Sequence, residues 1–267
     1  MIPRLAVQAA EIPWLPTKED AIGARDAAGR LYYAKTDGGS PAGRTPSALA
    51  NELTYHVVAA ASGLPMPAGA LLEVDGRLAW GSEALPRRLG IPREEAAQVL
   101  AEACAASRQE FENLGRALLL DLALLNSDRR PWNILASREA GQVRLWYIDH
   151  GKSLVADGLE DCGLRRIGPG ALSDARFGAY LTCAEANRLF LGRATDQDLR
   201  SLWAGLSLDR KTLELARVLC PAEWRPAALQ QRLQDFLLPW WAHLAGWVSR
   251  SAPLQRLREL VGGAPRP

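Results

Sequence analysis

The sequence predicts an α+β fold in two lobes, a small strand-rich N-lobe over residues 1–85 and a larger helical C-lobe over residues 86–267. Three observations predict it. Up to about Leu85 the chain alternates short β-favouring runs with glycine- and aspartate-marked turns and leaves room for one helix. After Pro92, apolar residues recur at helical spacing almost to the end. Between the helices, a polar loop and an apolar strand interrupt this spacing from Asp128 to Asp149. Strands followed by helices, rather than alternating with them, make an α+β plan with a cleft between the two parts.

Each element has its own signal. Ile22 to Asp26 and Leu31 to Lys35 are strand candidates around a turn at Ala28-Gly29. The polar loop TDGGSPAGRTPS follows. Ser47 to Ser62 carries a helical pattern, and Gly63 is a natural stop because the residue after a helix often turns left-handed. The segment LPMPAGALLEVDGRLAWGS reads as two strands about Asp75-Gly76, residues that tolerate the positive φ of a tight hairpin. Glu94 to Arg108 and Phe111 to Leu125 read as helices, and Pro221 breaks a later one. Trp240, Trp241 and Trp247 lie at spacings that fit one buried helix face, which favours core over a membrane-surface helix, with His243 structural.

Composition narrows the function classes. A hydrophobic fraction of 48% and a charged fraction of 23% are ordinary for a globular domain. The formal net charge of +2 gives no reason to expect a nucleic-acid or anionic-membrane partner. The longest apolar run, Ala117 to Leu125, contains Asp121 and falls far short of the roughly 20 residues that span a bilayer. The N-terminal stretch has no apolar core of signal-peptide length, so a cytoplasmic location is expected. None of Cys104, Cys162, Cys183 and Cys220 stands at C-x-x-C spacing and there are 3 histidines, so free thiols are expected rather than a zinc site.

The stretch NSDRRPWNILASREAGQVRLWYIDHGKSL carries the chemistry. Asp128 and Asn133 share one loop, and Asp149 ends the apolar segment LWYI just before His150-Gly151. Phosphoryl transfer from ATP needs a carboxylate toward the acceptor hydroxyl, and an amide oxygen and a second carboxylate to hold Mg2+ between the phosphates. The Asp-x4-Asn spacing followed by Asp-x-Gly is the arrangement of a kinase catalytic loop and its metal site. Alone, D-x4-N means little, since both residues are common in turns. The conjunction with an apolar strand and a preceding apolar helix makes Asp128 the candidate catalytic carboxylate and Asn133 and Asp149 the candidate metal ligands. Upstream, Lys35 ends a strand and Glu52 lies within the helix that follows. Such residues are commonly just solvated charges, but a strand lysine on ATP phosphates held by a helix glutamate is a recurring kinase device. No G-x-G-x-x-G is present. The phosphate-covering loop is either the hairpin from Gly23 to Gly29, which precedes Lys35, or the segment Asp37 to Gly43, which follows it.

The segments YYAK, NELTYHVVAAASGLPMP, NSDRRPWNIL and YIDHG together resemble the HipA-like kinase family, and more distantly phosphatidylinositol kinases, over about Ile22 to Leu154. The resemblance implies a protein-kinase-like fold, with Lys35 on the ATP phosphates, Glu52 as its partner, Asp128 catalytic, and Asn133 and Asp149 on Mg2+. It implies that Leu78 to Leu85, with Trp80, Gly81, Ser82 and Glu83, faces adenine as a hinge. Many relatives have histidine two residues after the catalytic aspartate, where this chain has Arg130. The expected activity is transfer of the ATP γ-phosphoryl group to a hydroxyl, foremost a protein Ser or Thr. A lipid or small-molecule acceptor, a pseudokinase and AMP transfer remain as alternatives. The hydroxyls of the loop from Thr36 to Ser47 are a candidate place for self-phosphorylation.

Overall fold

The computed structural model describes residues 2–10, 21–36, 46–86, 88–126, 129–151, 153–154, 184–225, 227–250 and 252–262. Its N-terminal part is a closed barrel of β1 (Arg4–Ala9), β2 (Ala21–Asp26), β3 (Leu31–Thr36), β4 (Gly69–Val74) and β5 (Arg77–Glu83), in the order β1-β2-β3-β5-β4. Neighbours are antiparallel except for β1 and β4, which run parallel and close the barrel. The interior is filled by Ala24, Tyr32, Ala34, Ala70, Leu72, Val74 and Ala79. Small residues are required in so narrow a barrel, since alternate side chains of every strand point inward. On β3, Tyr32 and Ala34 take the inner face and Lys35 the outer one. The turn between β4 and β5 has Asp75 at φ 50° and Gly76 at φ 75°, the hairpin the sequence predicts.

Helix α1 (Pro46–Ala61) crosses between β3 and β4 and packs its apolar face on Trp80 of β5. Its end follows the prediction. Gly63 has φ 71° and the Leu64 amide bonds back to the Ala59 carbonyl at 3.0 Å. Gly69 permits the close approach of the sheet, because a Cβ there would sit 2.5 Å from the Trp80 ring and 2.9 Å from His56 Nε2.

Beyond the barrel come α2 (Ala96–Ala106) and α3 (Arg108–Ala123), divided by Ser107, whose hydroxyl accepts from the Glu110 amide and caps α3. A short 3-10 turn (Pro131–Asn133) leads into the antiparallel pair β6 (Ile134–Glu139) and β7 (Gln142–Tyr147). The sequence predicts one strand there, and the structure has a two-stranded hairpin turning at Ala140 (φ 46°) and Gly141 (φ 83°). Then follow α4 (Ala184–Leu191), α5 (Asp196–Ala204), α6 (Arg210–Leu219), α7 (Ala227–Val248) and α8 (Pro253–Gly262). Among the described residues no helix is long and apolar enough to cross a membrane.

The main core joins α2, α3 and the β6–β7 hairpin to α4, α5, α7 and α8. Trp240, Trp241 and Trp247 are buried in it. The Trp240 and Trp241 indoles donate to the Leu122 and Ala123 carbonyls in the last turn of α3. A second cluster joins Leu49, Ala50, Leu53, Val57 and Trp80 to Ala216, Cys220 and Trp224. Apolar packing therefore crosses the boundary predicted between residues 85 and 86, and α1 is braced from behind by the C-terminal helices.

Candidate active site

Strand alternation puts Lys35 on the outer face of the barrel, opposite Trp80 in register, on the face that α1 covers. One and a half turns into α1, Glu52 reaches the same place. The Lys35 ammonium donates to Glu52 Oε1 and, at 2.9 Å, to Asp149 Oδ1. Glu52 Oε2 accepts the backbone amide of His150 at 2.9 Å. Glu52 thus holds both the lysine and the peptide next to Asp149. Glu52 is buried, with 3% side-chain exposure, whereas the Asp149 carboxylate keeps 29% and is open to a ligand. Asp149 has φ 60°, a left-handed conformation that costs less for Asp than for most residues but needs holding in place.

The loop carrying Asn133 joins Asp149 through main chain. The Ile148 amide donates to the Asn133 carbonyl at 3.0 Å. Arg129 reinforces the junction, its Nη1 donating to the Asn133 carbonyl at 3.3 Å and the Ile148 carbonyl at 3.0 Å. The rest of its guanidinium faces Asp121, with Nε to Oδ2 at 2.9 Å and Nη2 to Oδ1 at 3.1 Å. Tyr55 and Asn126 also donate to Asp121 Oδ1, each at 2.7 Å. Arg129 and Asp121 are both buried. Burial alone would make Arg129 a stronger acid, but Asp121 and Tyr55 outweigh it and hold the guanidinium above its ordinary pKa.

Arg129 Nη2 also lies 2.9 Å from His150 Nδ1. A guanidinium only donates, so Nδ1 is the acceptor and the His150 proton sits on Nε2. Burial, then Arg129 and Lys35, hold the His150 pKa well below its usual value, so the ring is neutral. It stacks on Tyr55 of α1 at 3.7 Å between ring centroids. Arg129, Asp121, Tyr55 and His150 thus bind together α1, α3, the Asn133 loop and the Asp149 turn. Sequence reading assigned none of these four a role. The available signal was Asp121, the one carboxylate in the apolar run Ala117 to Leu125, which demands a buried cation.

The structure brings Lys35, Glu52, Asp149 and the Asn133 loop together. The two ends of the Gly23 to Gly29 hairpin lie differently with respect to Lys35, whose partner on β2 is Ala21. Gly23 pairs with Tyr33 inside the barrel wall. Gly29 turns at the other end of β3, before Leu31, which is itself about 13 Å of strand from Lys35. The Ala28, Gly29 and Arg30 amides are already bonded to Asp26. The β3 end near Lys35 leads in sequence into the segment from Asp37 to Gly43. That segment, with Ser40, Thr45 and Ser47 of the predicted self-phosphorylation loop, and Asp128 itself, lies outside the described residues or their described side chains.

The expected hinge residues lie on β5 and at its end. Trp80 is buried against Gly69, His56 and α1 and belongs to the core. Gly81 is pressed on Leu72, and Ser82 and Glu83 continue β5, with the Glu83 amide bonded to Ala68 and the Ala84 amide to Leu31. The chain leaves the barrel only after Ala84. Among the described residues, Cys104 and Cys220 are buried free thiols, Cys104 pushed up to about 11 by burial.

This architecture, a strand barrel with one braced helix followed by a helical region, is a kinase-like fold. The crystal structure of a Helicobacter pylori proinflammatory kinase, CtkA, is similar to it in fold. The match covers 95% of this chain and 98% of that one, with a TM-score of 0.64 at 12% sequence identity. The likeness is one of fold. No protein-family model and no curated protein matches the chain.

Proposed function

We propose that this chain is a Mg2+- and ATP-dependent phosphotransferase that moves the γ-phosphoryl group to a hydroxyl, foremost of a protein Ser or Thr. The observation that carries this reading is the Lys35 ammonium held between Glu52 and the partly exposed Asp149 on a kinase-like scaffold. In this reading residues 1–85 and 86–267 are two lobes that flank the nucleotide.

The residues present fit the ligands. A carboxylate and a carboxamide are oxygen donors of the kind a hard divalent cation takes, and the main-chain bond from Ile148 to Asn133 ties their loops together. Bound there, Mg2+ would supply charge neutralisation at the phosphates. Asp149 and Asn133 would hold it. Lys35 would pair with phosphate oxygens, and Glu52 keeps its ammonium in place. Asp128 would accept or orient the acceptor's proton, the role its position five residues ahead of Asn133 implies. The neutral His150 and buried Arg129 keep the Asp149 turn rigid without adding a titrating group near neutral pH.

Thermal melting tests the nucleotide part. Millimolar ATP with Mg2+ should raise the melting temperature, because a ligand that binds only the folded state stabilises it. Asp149→Asn should remove most of the Mg2+-dependent increment. No shift in the wild type would count against the whole reading.

A further inference from the structure

Two consecutive residues of α1 grip the turn after Asp149 with opposite polarity. Glu52 Oε2 accepts from the His150 amide at 2.9 Å, and Asn51 Nδ2 donates to the Gly151 carbonyl at 3.2 Å. The side chain that decides which way the Asn51 amide points comes from the far end of the chain. Arg225, in the connection between α6 and α7, donates through Nη2 to Asn51 Oδ1 and through Nη1 to Thr54 Oγ1 at 3.2 Å. Because a guanidinium cannot accept, the carbonyl end of the Asn51 amide must face it, and the NH2 end must face Gly151.

Arg225 is an expensive way to orient an amide. It is 4% exposed, and no carboxylate among the described residues accepts from it. Its partners are neutral, and burial lowers its pKa to about 10. A buried cation without a counter-charge is costly, and an apolar side chain of similar size would fill the space with less strain on stability. Its sequence neighbour Trp224 packs with Cys220 in the apolar cluster that holds Leu49, Ala50 and Leu53 of α1, and Gln230 donates to the Arg225 carbonyl at 3.4 Å. The same helix is tied a second time to the C-terminal region, where Ser207 bonds to Ala61 O at 2.9 Å and to Ser62 Oγ at 3.0 Å.

We propose that Arg225 and Asn51 are positioning residues for the Asp149 carboxylate: the α6–α7 connection fixes the Asn51 amide, the amide holds the Gly151 carbonyl, and the turn keeps Asp149 aimed at Lys35. The catalytic meaning of this relay rests on the phosphotransferase reading above, whereas its mechanical claim stands on the geometry alone. Helix α1 is thereby locked to the metal-site turn from the C-terminal helices, with no freedom to swing away independently of them.

Asn51→Asp in the full chain separates positioning from mere packing. The new carboxylate keeps its bond to Arg225 and gives it the counter-charge it lacks, so the tether survives. It can no longer donate to Gly151, and its oxygen would repel that carbonyl. The expected result is a melting temperature without ligand at or above wild type, and amide exchange over residues 148–151 faster by about five-fold or more, the loss of one ordinary hydrogen bond. The Mg2+ concentration for half-maximal stabilisation by ATP should rise about ten-fold. Asn51→Ala should speed the same exchange, which covers the case in which Asn51→Asp does not fold. Arg225→Lys should retain more of the protection than Arg225→Met. Unchanged exchange over 148–151 in the folded Asn51 variants would overturn the proposal. Absence of any ATP·Mg2+ effect in the wild type would instead remove the phosphotransferase reading, and the exchange comparison would still decide the relay.

Discussion

Replacing Arg129 by Met tests whether the buried network holds the site together. The guanidinium bonds Asp121 at 2.9 and 3.1 Å, reaches the Asn133 and Ile148 carbonyls, and contacts His150 and Tyr55. Met fills much of the volume but leaves the buried Asp121 carboxylate with neutral donors, Tyr55 and Asn126 among them. Breaking a buried pair from one side costs about 3–5 kcal/mol, because a charge is stranded. An unfolding entropy of about 2.1 cal/mol/K per residue over 267 residues converts this to a fall in melting temperature of about 5–9 °C. Adding Asp121→Asn removes the stranded charge and should recover about 1–2 kcal/mol. Scanning calorimetry or circular dichroism melts of both variants provide the measurement. If Arg129→Met melts within a degree of wild type, or the double variant is less stable than the single one, the network is not what joins these loops.

Other perturbations follow from the same geometry. Lys35→Met should abolish stabilisation by ATP·Mg2+, since it leaves the Glu52 and Asp149 carboxylates facing the phosphates unneutralised; titration calorimetry showing wild-type affinity would exclude Lys35 as the phosphate contact. Gly115→Ala should destabilise by about 1–3 kcal/mol in urea unfolding, as its Cβ would lie 2.2 Å from Phe190 and 2.6 Å from Leu202. Burial lowers the His56 pKa to about 4 from an ordinary 6.5, so the fold binds the neutral ring. Its stability contribution is complete above pH 6.5 and is lost as pH falls from there through 4. Between pH 7.5 and 5, wild type should therefore lose about 2 kcal/mol more than His56→Gln in urea titrations, and equal losses would refute the assignment.

How much of this was legible in the sequence depended on whether the signal was local. The β4–β5 hairpin was, because Asp75-Gly76 names its own turn. So was the meeting of Lys35 with Glu52, since strand alternation and helix periodicity each fix one face. The β6–β7 hairpin was read as one strand because Ala140-Gly141 lacks the Asn or Asp that usually marks such a turn. Closure of the barrel by β1 was not legible, since its parallel pairing with β4 joins segments about 65 residues apart and no local pattern encodes it. The burial of Trp80 against α1 was not legible either, since it depends on cross-strand register and on the room that Gly69 leaves for its ring. Arg225 offered no sign at all. It stands in CPAEWRP, which reads as an ordinary helix-breaking turn, and its role emerges only when α6 packs behind α1.

The proposed reaction is transfer of the γ-phosphoryl group of ATP at the site around Lys35, Glu52 and Asp149. The measurement that meets it most directly is a parallel incubation of the purified chain with γ-labelled and α-labelled ATP, Mg2+ and candidate protein, lipid and small-molecule acceptors, beside Asp128→Ala. The γ-label alone should move in a Mg2+-dependent way, onto a protein hydroxyl, and Asp128→Ala should lower this at least about 100-fold while ATP·Mg2+ still stabilises the fold. Transfer of the α-label, or γ-label transfer that Asp128→Ala leaves intact, would contradict it.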